Sequence, residues 1–446
     1  MRVRDPEHRS NAMIAVIADD LTGAAEIAGL GWRHGLRAVI LRRDAAPPRA
    51  DLVVYDSDSR LCSAREAARR VTAIARRLRA ARPEWIYKKV DSVLRGNVRV
   101  ELATLRRALS LDDCLLVPAN PRAGRIIRNG KYFIGGQPIH QTDFRRDPTH
   151  PRRSADVLNL LGAEAGEVMV RPVPAGMGRT AQPGPLLADD PWPAPVKRRA
   201  RSNVTLAAGG PIRIVVGEAG SPEDLRAWAE GADGRTLLAG GGEFFAALLD
   251  QRLAGARLAE RVEARGESSA VASDASLLLV SGSRSESARR FLSEAGRHGW
   301  VVFFLPKTLF ASRRLNLSAL AVWAGEVRAA WRQAARVAMA IGGPARPGEA
   351  ARLGRLLAAA ARLVLARARP DFVCVEGGAT AALLWAQLGG RPLRVEGEWA
   401  TGVVVVRLPG ARGLRLVLKP GSYAWPAALL AEAAGGTRSG HSTLTV

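Results

Sequence analysis

Short apolar runs that close on polar turns recur along this chain, and between most of them the apolar positions return at helical spacing. The first run, Ile14-Ala15-Val16-Ile17-Ala18, meets Asp19-Asp20-Leu21-Thr22-Gly23, after which Ala24, Ala25, Ile27 and Ala28 continue as a small-residue helix. An unbroken apolar run bounded by turn chemistry suits a strand buried on both faces of a parallel sheet. Thr22 or Asp20 can cap the helix. A cap uses only one carboxylate, so the adjacent pair leaves the other at the rim beyond the strand's carboxyl end, where open α/β sheets bind ligands.

The same pattern predicts strands at Ala38 to Leu41, Leu52 to Tyr55, Glu84 to Val90 and Leu115 to Val117, with helices from Ala64 to Ala81 and from Val98 to Leu109. From Pro118 to Pro151 periodicity fades into Gly, Pro, Arg and Asn, which suits a long functional loop carrying a small hairpin at Lys131 to Ile139. Residues 171–211 read as a flexible, basic, Pro/Gly-rich insertion. A strand at Ile212 to Val216, a helix from Pro222 to Glu230 and the triplet Gly240-Gly241-Gly242 follow, and a boundary is expected near 256–275.

The second half predicts strands at Leu277 to Val280, Val301 to Leu305, Phe372 to Val375, Val403 to Arg407 and Leu414 to Leu418. Helices are expected up to His298 and in two stretches between Ser318 and Arg367. No internal repeat is evident. The rhythm predicts an α/β fold of two domains, 13–255 and 276–436, each a mostly parallel sheet flanked by helices.

Composition narrows this picture. At 446 residues, 47% hydrophobic and 24% charged, the chain is expected to be a globular protein with at least two cores. Residues 1–12 are polar, with no apolar stretch like a signal peptide, and no later run is apolar enough to span a bilayer, so a cytoplasmic protein without a membrane partner is expected. Cys62, Cys114 and Cys374 offer neither a disulfide framework nor zinc-ligand spacing.

The formal charge of +24 invites a nucleic-acid reading. Its distribution argues against one: arginine is spread over most helices, and the densest run, Lys197-Arg198-Arg199-Ala200-Arg201, lies in a Pro-rich segment without interleaved aromatics. Only Lys88, Lys89, Lys131, Lys197, Lys307 and Lys419 are lysines, which hints at positions wanting a compact point charge.

Four strand ends of the first half are polar: Asp19-Asp20, Asp56-Ser57-Asp58-Ser59-Arg60, Lys88-Lys89-Val90-Asp91-Ser92 and the loop from Pro118 to Arg125. Each alone reads as a solvated loop. Recurring at one structural phase, they predict a mixed-charge pocket for a small hydroxylated acid, with Arg or Lys for its carboxylate and Asp for its hydroxyls. In the second half Ser281-Gly282-Ser283, Gly377-Gly378 and Lys419-Pro420-Gly421-Ser422 follow strands, and backbone amides at such turns bind phosphate. There is neither a Walker sequence nor a G-x-G-x-x-G.

These residues carry a resemblance. The segments 18–24 (Ala18-Asp19-Asp20-Leu21-Thr22-Gly23-Ala24), 88–97 (Lys88-Lys89-Val90-Asp91-Ser92-Val93-Leu94-Arg95-Gly96-Asn97), Pro118-Ala119-Asn120-Pro121 with Gly124-Arg125, and Asp147-Pro148 resemble the signature of the four-carbon acid sugar kinase family. Gly377-Gly378-Ala379-Thr380-Ala381 and Lys419-Pro420-Gly421-Ser422-Tyr423 resemble its nucleotide-binding domain. The resemblance covers nearly the whole chain in order.

It implies an N-terminal acid-sugar domain, a C-terminal ATP domain, a ligand cleft between them, and transfer of the γ-phosphoryl group of ATP, with Mg²⁺, to a hydroxyl of a threonate-, erythronate- or 3-dehydrotetronate-like acid. In that frame Asp20 orients or deprotonates the hydroxyl, with Asp91 as the alternative base. Asp19, Arg60, Lys89 and Arg95 hold the acid and the transferring group, and Ser283, Ser285, Gly377, Gly378, Thr380, Lys419, Gly421 and Ser422 surround ATP and Mg²⁺.

Metal ligands stay unassigned, and homo-oligomerisation stays open. Ala379 stands where the family often has an acidic residue, and Ala288, Phe291 and Ala424 replace its usual Thr, Gln and Gly. These departures keep a second reading in view, a catalytically weakened member that binds a small acid or nucleotide as a sensor.

Overall fold

The computed structural model describes residues 13–147, 149–163, 167–174, 214–232, 235–253, 275–311, 316–343, 348–410, 413–421 and 423–430. Nearly all of the expected boundary at 256–275 and of the expected insertion at 171–211, together with Ser422, lie outside these residues. Contacts divide the chain into two compact units: the first takes the described residues of Met1–Asp19, Arg33–Leu36 and Arg43–Ala264, the second those of Asp20–Trp32, Arg37–Arg42 and Arg265–Val446.

In the first unit seven described strands pair in parallel in the order Leu52–Asp56, Ile14–Ala18, Trp85–Lys89, Thr236–Gly240, Asp113–Val117, Ile214–Gly217 and Val168–Arg171. The Ile14–Ala18 strand is buried along its whole length, as its unbroken apolar sequence requires. Its partners on either side come later in the chain, so the strand order reverses here, and such a switch point opens a crevice beyond the carboxyl ends. The register Ala18–Asp56 and Ala18–Lys89 sets the polar turns after these three strands side by side.

The Ala64–Ala81 helix, capped by Ser63, turns Ala67, Val71, Ile74, Ala75 and Leu78 inward, an apolar stripe at helical spacing. The expected hairpin at Lys131 to Ile139 is larger than the sequence suggested: Arg125–Arg128 joins Lys131–Ile134 and Gln137–Pro138 in a three-stranded antiparallel sheet.

In the second unit the order is Val301–Phe304, Arg336–Ala340, Leu277–Ser281, Phe372–Glu376, Leu414–Lys419, Val403–Leu408, Leu393–Ala400 and Ala38–Arg42. The first five strands are mutually parallel and the last three pair antiparallel. The antiparallel turn comes from Thr401-Gly402, a two-residue connection in which Gly402 adopts φ +76° and donates its N–H to the buried Glu398 carboxylate at 2.6 Å.

The sequence pattern missed the Arg336–Ala340 strand between its two expected helices, which form at Leu317–Trp331 and Ala350–Leu365. Its Arg-Val-Ala-Met-Ala run reads as readily as helix; burial of all five residues between two parallel neighbours decides for strand. A core of Leu277, Leu279, Ala338, Cys374, Val405, Val417 and Trp425 holds this sheet, with Phe291 packed against it. No described helix is long and apolar enough to cross a membrane.

Candidate functional site

At the switch point of the first unit the turns converge on a row of alternating charge. Arg60 grips Asp19 with two hydrogen bonds, Nε to Oδ2 at 2.8 Å and Nη2 to Oδ1 at 2.9 Å, and its Nη2 lies 3.8 Å from Asp91 Oδ1. Arg95 grips Asp91 the same way, at 2.9 and 2.8 Å, and extends Nη1 to Asp147 at 3.1 Å. The result is Asp19, Arg60, Asp91, Arg95 and Asp147 in sequence, with the Arg95 and Arg125 guanidiniums 5.8 and 5.9 Å from the centre of the Phe144 ring.

Local chemistry explains how the row is held. The 57–60 turn folds over the end of the first strand, because Ser57 Oγ donates to Ala18 O and the Ser59 and Arg60 amides donate to Asp19 O. Gly96, at φ +89°, packs where a β-carbon would lie 3.3 Å from Arg60 Cα, and Asn97 Nδ2 donates to Cys62 O at 2.9 Å. The Arg95-Gly96-Asn97 triplet therefore positions the Arg60 turn as well as binding Asp91. Leu94, buried in the left-handed region at φ +62°, marks the same bend.

Burial alone would raise the Asp91 carboxyl, but the Arg60 charge and the Arg95 hydrogen bonds outweigh it and hold Asp91 far below the ordinary carboxylate range. Asp19 is lowered too, burial being overcome by the charge and hydrogen bonds of Arg60. A carboxylate so stabilised is a weak proton acceptor, which counts against the expectation of Asp91 as a base.

Lys89 is buried and donates Nζ to Val90 O at 2.9 Å. Lys88 is paired instead: its Nζ lies 2.7 Å from Glu101 Oε2 in a buried pair. Sequence reasoning missed Asp147 as a partner of Arg95. It also missed Arg152, which is 7% exposed and whose Nε has no hydrogen-bond partner. Burial pulls the Arg152 guanidinium below its ordinary value. In so arginine-rich a chain, nothing in the sequence distinguishes this one.

In the second unit Asp20 opens the Leu21–Arg33 helix, accepting the Gly23 amide on Oδ1 and the Thr22 hydroxyl on Oδ2, both at 2.8 Å. Gly378 lies against this cap: a β-carbon there would sit 2.9 Å from Asp20 Oδ2 and 3.0 Å from Thr22 Oγ1. Gly377, at φ +93°, starts the Gly378–Gln387 helix, and Thr380 packs its hydroxyl onto Gly282 so closely that a β-carbon at 282 would be 1.9 Å from Oγ1. Asp20, Gly377, Gly378, Thr380 and Gly282 are thus brought together.

Other expected residues have different work. Ser281, Glu376 and Lys419 occupy one row across three parallel strands. Glu376 accepts from Ser281 Oγ at 2.7 Å and from Lys419 Nζ at 2.9 Å, while Nζ also donates to Pro420 O at 3.0 Å and Tyr423 O at 2.6 Å. With three acceptors and 1% exposure, the Lys419 ammonium has no hydrogen left for a phosphate oxygen, contrary to the expectation for it. Its charge also faces the Trp425 ring at 5.3 Å, and Phe291, one of the departures from the family pattern, packs against that ring with centroids 6.1 Å apart.

Ser285 caps the Glu286–Arg297 helix through Ala288 N, and its hydroxyl lies 3.0 Å from that of Ser283. Gly421 is exposed with open space around it, Ala379 is exposed, and Ser422 lies outside the described residues. A cavity of about 690 Å³, lined by Arg362, Arg369, Asp371, Arg391, Arg407 and Arg415 among others, opens where the Phe372–Glu376 and Leu414–Lys419 strands begin and contains none of these site residues.

A parallel-sheet unit ending in a charge-alternating row, and a second ending in glycine turns at a helix start, define an α/β protein of two units. Residues 14–248 match the sugar-binding N-terminal domain family, and residues 278–423 match the nucleotide-binding C-terminal domain family. A D-threonate kinase of Bordetella bronchiseptica is 30% identical over 92% of this chain and 94% of its own length, and a 3-oxo-tetronate kinase of Cupriavidus necator is 27% identical over 93% and 95%. A crystal structure from Salmonella typhimurium LT2 shares the fold, with a TM-score of 0.70 at 19% identity over 94% of this chain and 98% of that one. The chain belongs to the four-carbon acid sugar kinase family.

Proposed function

We propose that this chain transfers the γ-phosphoryl group of ATP to a hydroxyl of a four-carbon sugar acid of the threonate, erythronate or 3-oxo-tetronate kind. The observation that carries this reading is the Asp19-Arg60-Asp91-Arg95-Asp147 row at the switch point, a concentration of alternating charge that suits a small hydroxylated acid. Asp20, one peptide bond beyond Asp19, orients or deprotonates the acceptor hydroxyl. Asp91, with its proton affinity suppressed, serves to fix Arg60 and Arg95.

Phosphoryl transfer asks chiefly for positioning and charge stabilisation. The Gly377-Gly378 turn, packed against the Asp20 cap, starts a helix whose first-turn amides suit phosphate oxygens. Mg²⁺ neutralises phosphate charge when bound, and it needs few protein oxygens beside those of ATP. Among the described residues no group of three His, Cys, Asp or Glu could hold a metal, and the donors that fit Mg²⁺ arriving with ATP are the Asp20 and Thr22 oxygens, 2.8 Å apart.

The test is ADP release from ATP across a panel of stereochemically defined four-carbon acids, with the matching tetritols as controls. Transfer to at least one acid and to no tetritol is expected. Calorimetric binding of ATP and acid without transfer would support instead the weakened, sensing member suggested by Ala379, and binding of neither acid nor ATP would defeat both readings.

A further inference from the structure

We propose that Arg152 is the seat of the substrate's carboxylate, and so the residue by which this protein tells a sugar acid from a neutral polyol. This deepens the kinase reading and rests on it. Arg152 is 7% exposed, its Nε has no partner, and no hydrogen bond or ion pair joins its guanidinium to another described residue. The other cations of the cluster are engaged: Arg60 with Asp19, Arg95 with Asp91 and Asp147, and Arg125 with Ser92 at 2.5 Å.

The nearby carboxylates have nothing to spare for it. Asp91 is committed to Arg95, while Asp147 gives Oδ2 to Arg95 and Oδ1 to the Thr149 and His150 amides. Asp91, Arg95 and Asp147 are the charges that act on Arg152, which places it in the row. Its backbone is tied there, because Arg152 N donates to Phe144 O at 2.9 Å and the Phe144 ring carries Arg95 and Arg125.

An arginine that is 7% exposed and whose Nε is buried without a partner is costly to keep, and a protein that keeps one holds a place for an anion. A planar fork accepts a carboxylate in two parallel hydrogen bonds. The carboxylate is the one anionic group that distinguishes a sugar acid from a tetritol before transfer. Once transfer has occurred, the phosphoryl group is the alternative occupant.

The experiment compares wild type, Arg152→Gln and Arg152→Lys in the full chain by steady-state kinetics and by thermal shift with a four-carbon acid, the matching tetritol and orthophosphate. Arg152→Gln is expected to raise KM for the acid roughly 10-fold to 100-fold, the range for one charge-assisted contact, with a smaller change in kcat and an unchanged KM for ATP. Arg152→Lys should recover part of the loss. Without ligand, Arg152→Gln should melt no lower than wild type, because it removes an uncompensated buried charge, yet it should lose the acid-induced shift.

Unchanged acid KM and shift in Arg152→Gln would overturn the proposal, as would loss of the orthophosphate shift with the acid shift intact, which would make Arg152 a phosphoryl seat. Should Arg152→Gln not fold, Arg152→Lys decides by the same KM comparison. If wild type phosphorylates no four-carbon acid, the kinase reading fails, while an acid-induced shift that needs Arg152 would still stand.

Discussion

Lys419 Nζ lies 2.9 Å from Glu376 Oε1, in a pair whose side chains are 1% and 2% exposed. Because Ser281, Pro420 and Tyr423 complete the pair's hydrogen bonds, these residues lock the ends of three strands together. Removing one member of such a buried pair leaves the other charge uncompensated, at a cost of about 3 to 5 kcal/mol. Lys419→Met should therefore lose that much stability in urea unfolding, and Lys419→Met with Glu376→Gln should regain most of it. If Lys419→Met unfolded like wild type while ATP affinity collapsed, the ammonium would belong to the nucleotide after all.

Asp20→Asn is expected to fold normally, since asparagine also caps helices and can still accept the Gly23 amide. Its turnover should fall by about 10²-fold to 10⁴-fold, the range for a positioned base, with substrate binding retained. Near-normal turnover in the folded variant would remove Asp20 from the chemistry.

Gly282→Ala places a methyl 1.9 Å from Thr380 Oγ1, so Thr380 must move within a packed site. Overpacking of this kind costs about 1 to 3 kcal/mol. Pairing it with Thr380→Ala removes the clashing hydroxyl and should restore the melting temperature, while weak ATP binding persists if the Thr380 hydroxyl belongs to the nucleotide site. Full recovery of ATP affinity in the double variant would show that Thr380 acts by packing alone.

Asp91 and Asp19 both have folded-state proton affinities below those of the unfolded chain. Groups lowered in this way contribute their full stability above the unfolded value, about pH 4, and lose it as pH falls toward the folded one. The stability gap between wild type and Asp91→Asn should thus be greatest near neutrality and shrink progressively from about pH 5 to pH 2. Urea unfolding at several pH values measures it, and a gap that stays constant would mean that the ionisation of Asp91 contributes nothing.

Periodicity determined the strand-turn-helix rhythm of this protein, because an apolar run that must be buried on both faces leaves few alternatives, and Ile14–Ala18 formed where its residues require. Short motifs also marked Asp19, Arg60, Asp91 and Arg95, since an unusual concentration of charge at strand ends is visible without coordinates. Tertiary structure decided everything that depends on which neighbour a charge meets. It sent Lys419 to Glu376 and Lys88 to Glu101, although rarity had singled out both lysines alike. It turned Arg336–Ala340 into a strand by placing it between two others, and it left Arg152 buried among acids already bound elsewhere. Propensity and spacing act within a few residues, whereas pairing of buried charge is settled by groups tens to hundreds of positions apart, and only the folded chain brings these within hydrogen-bonding distance.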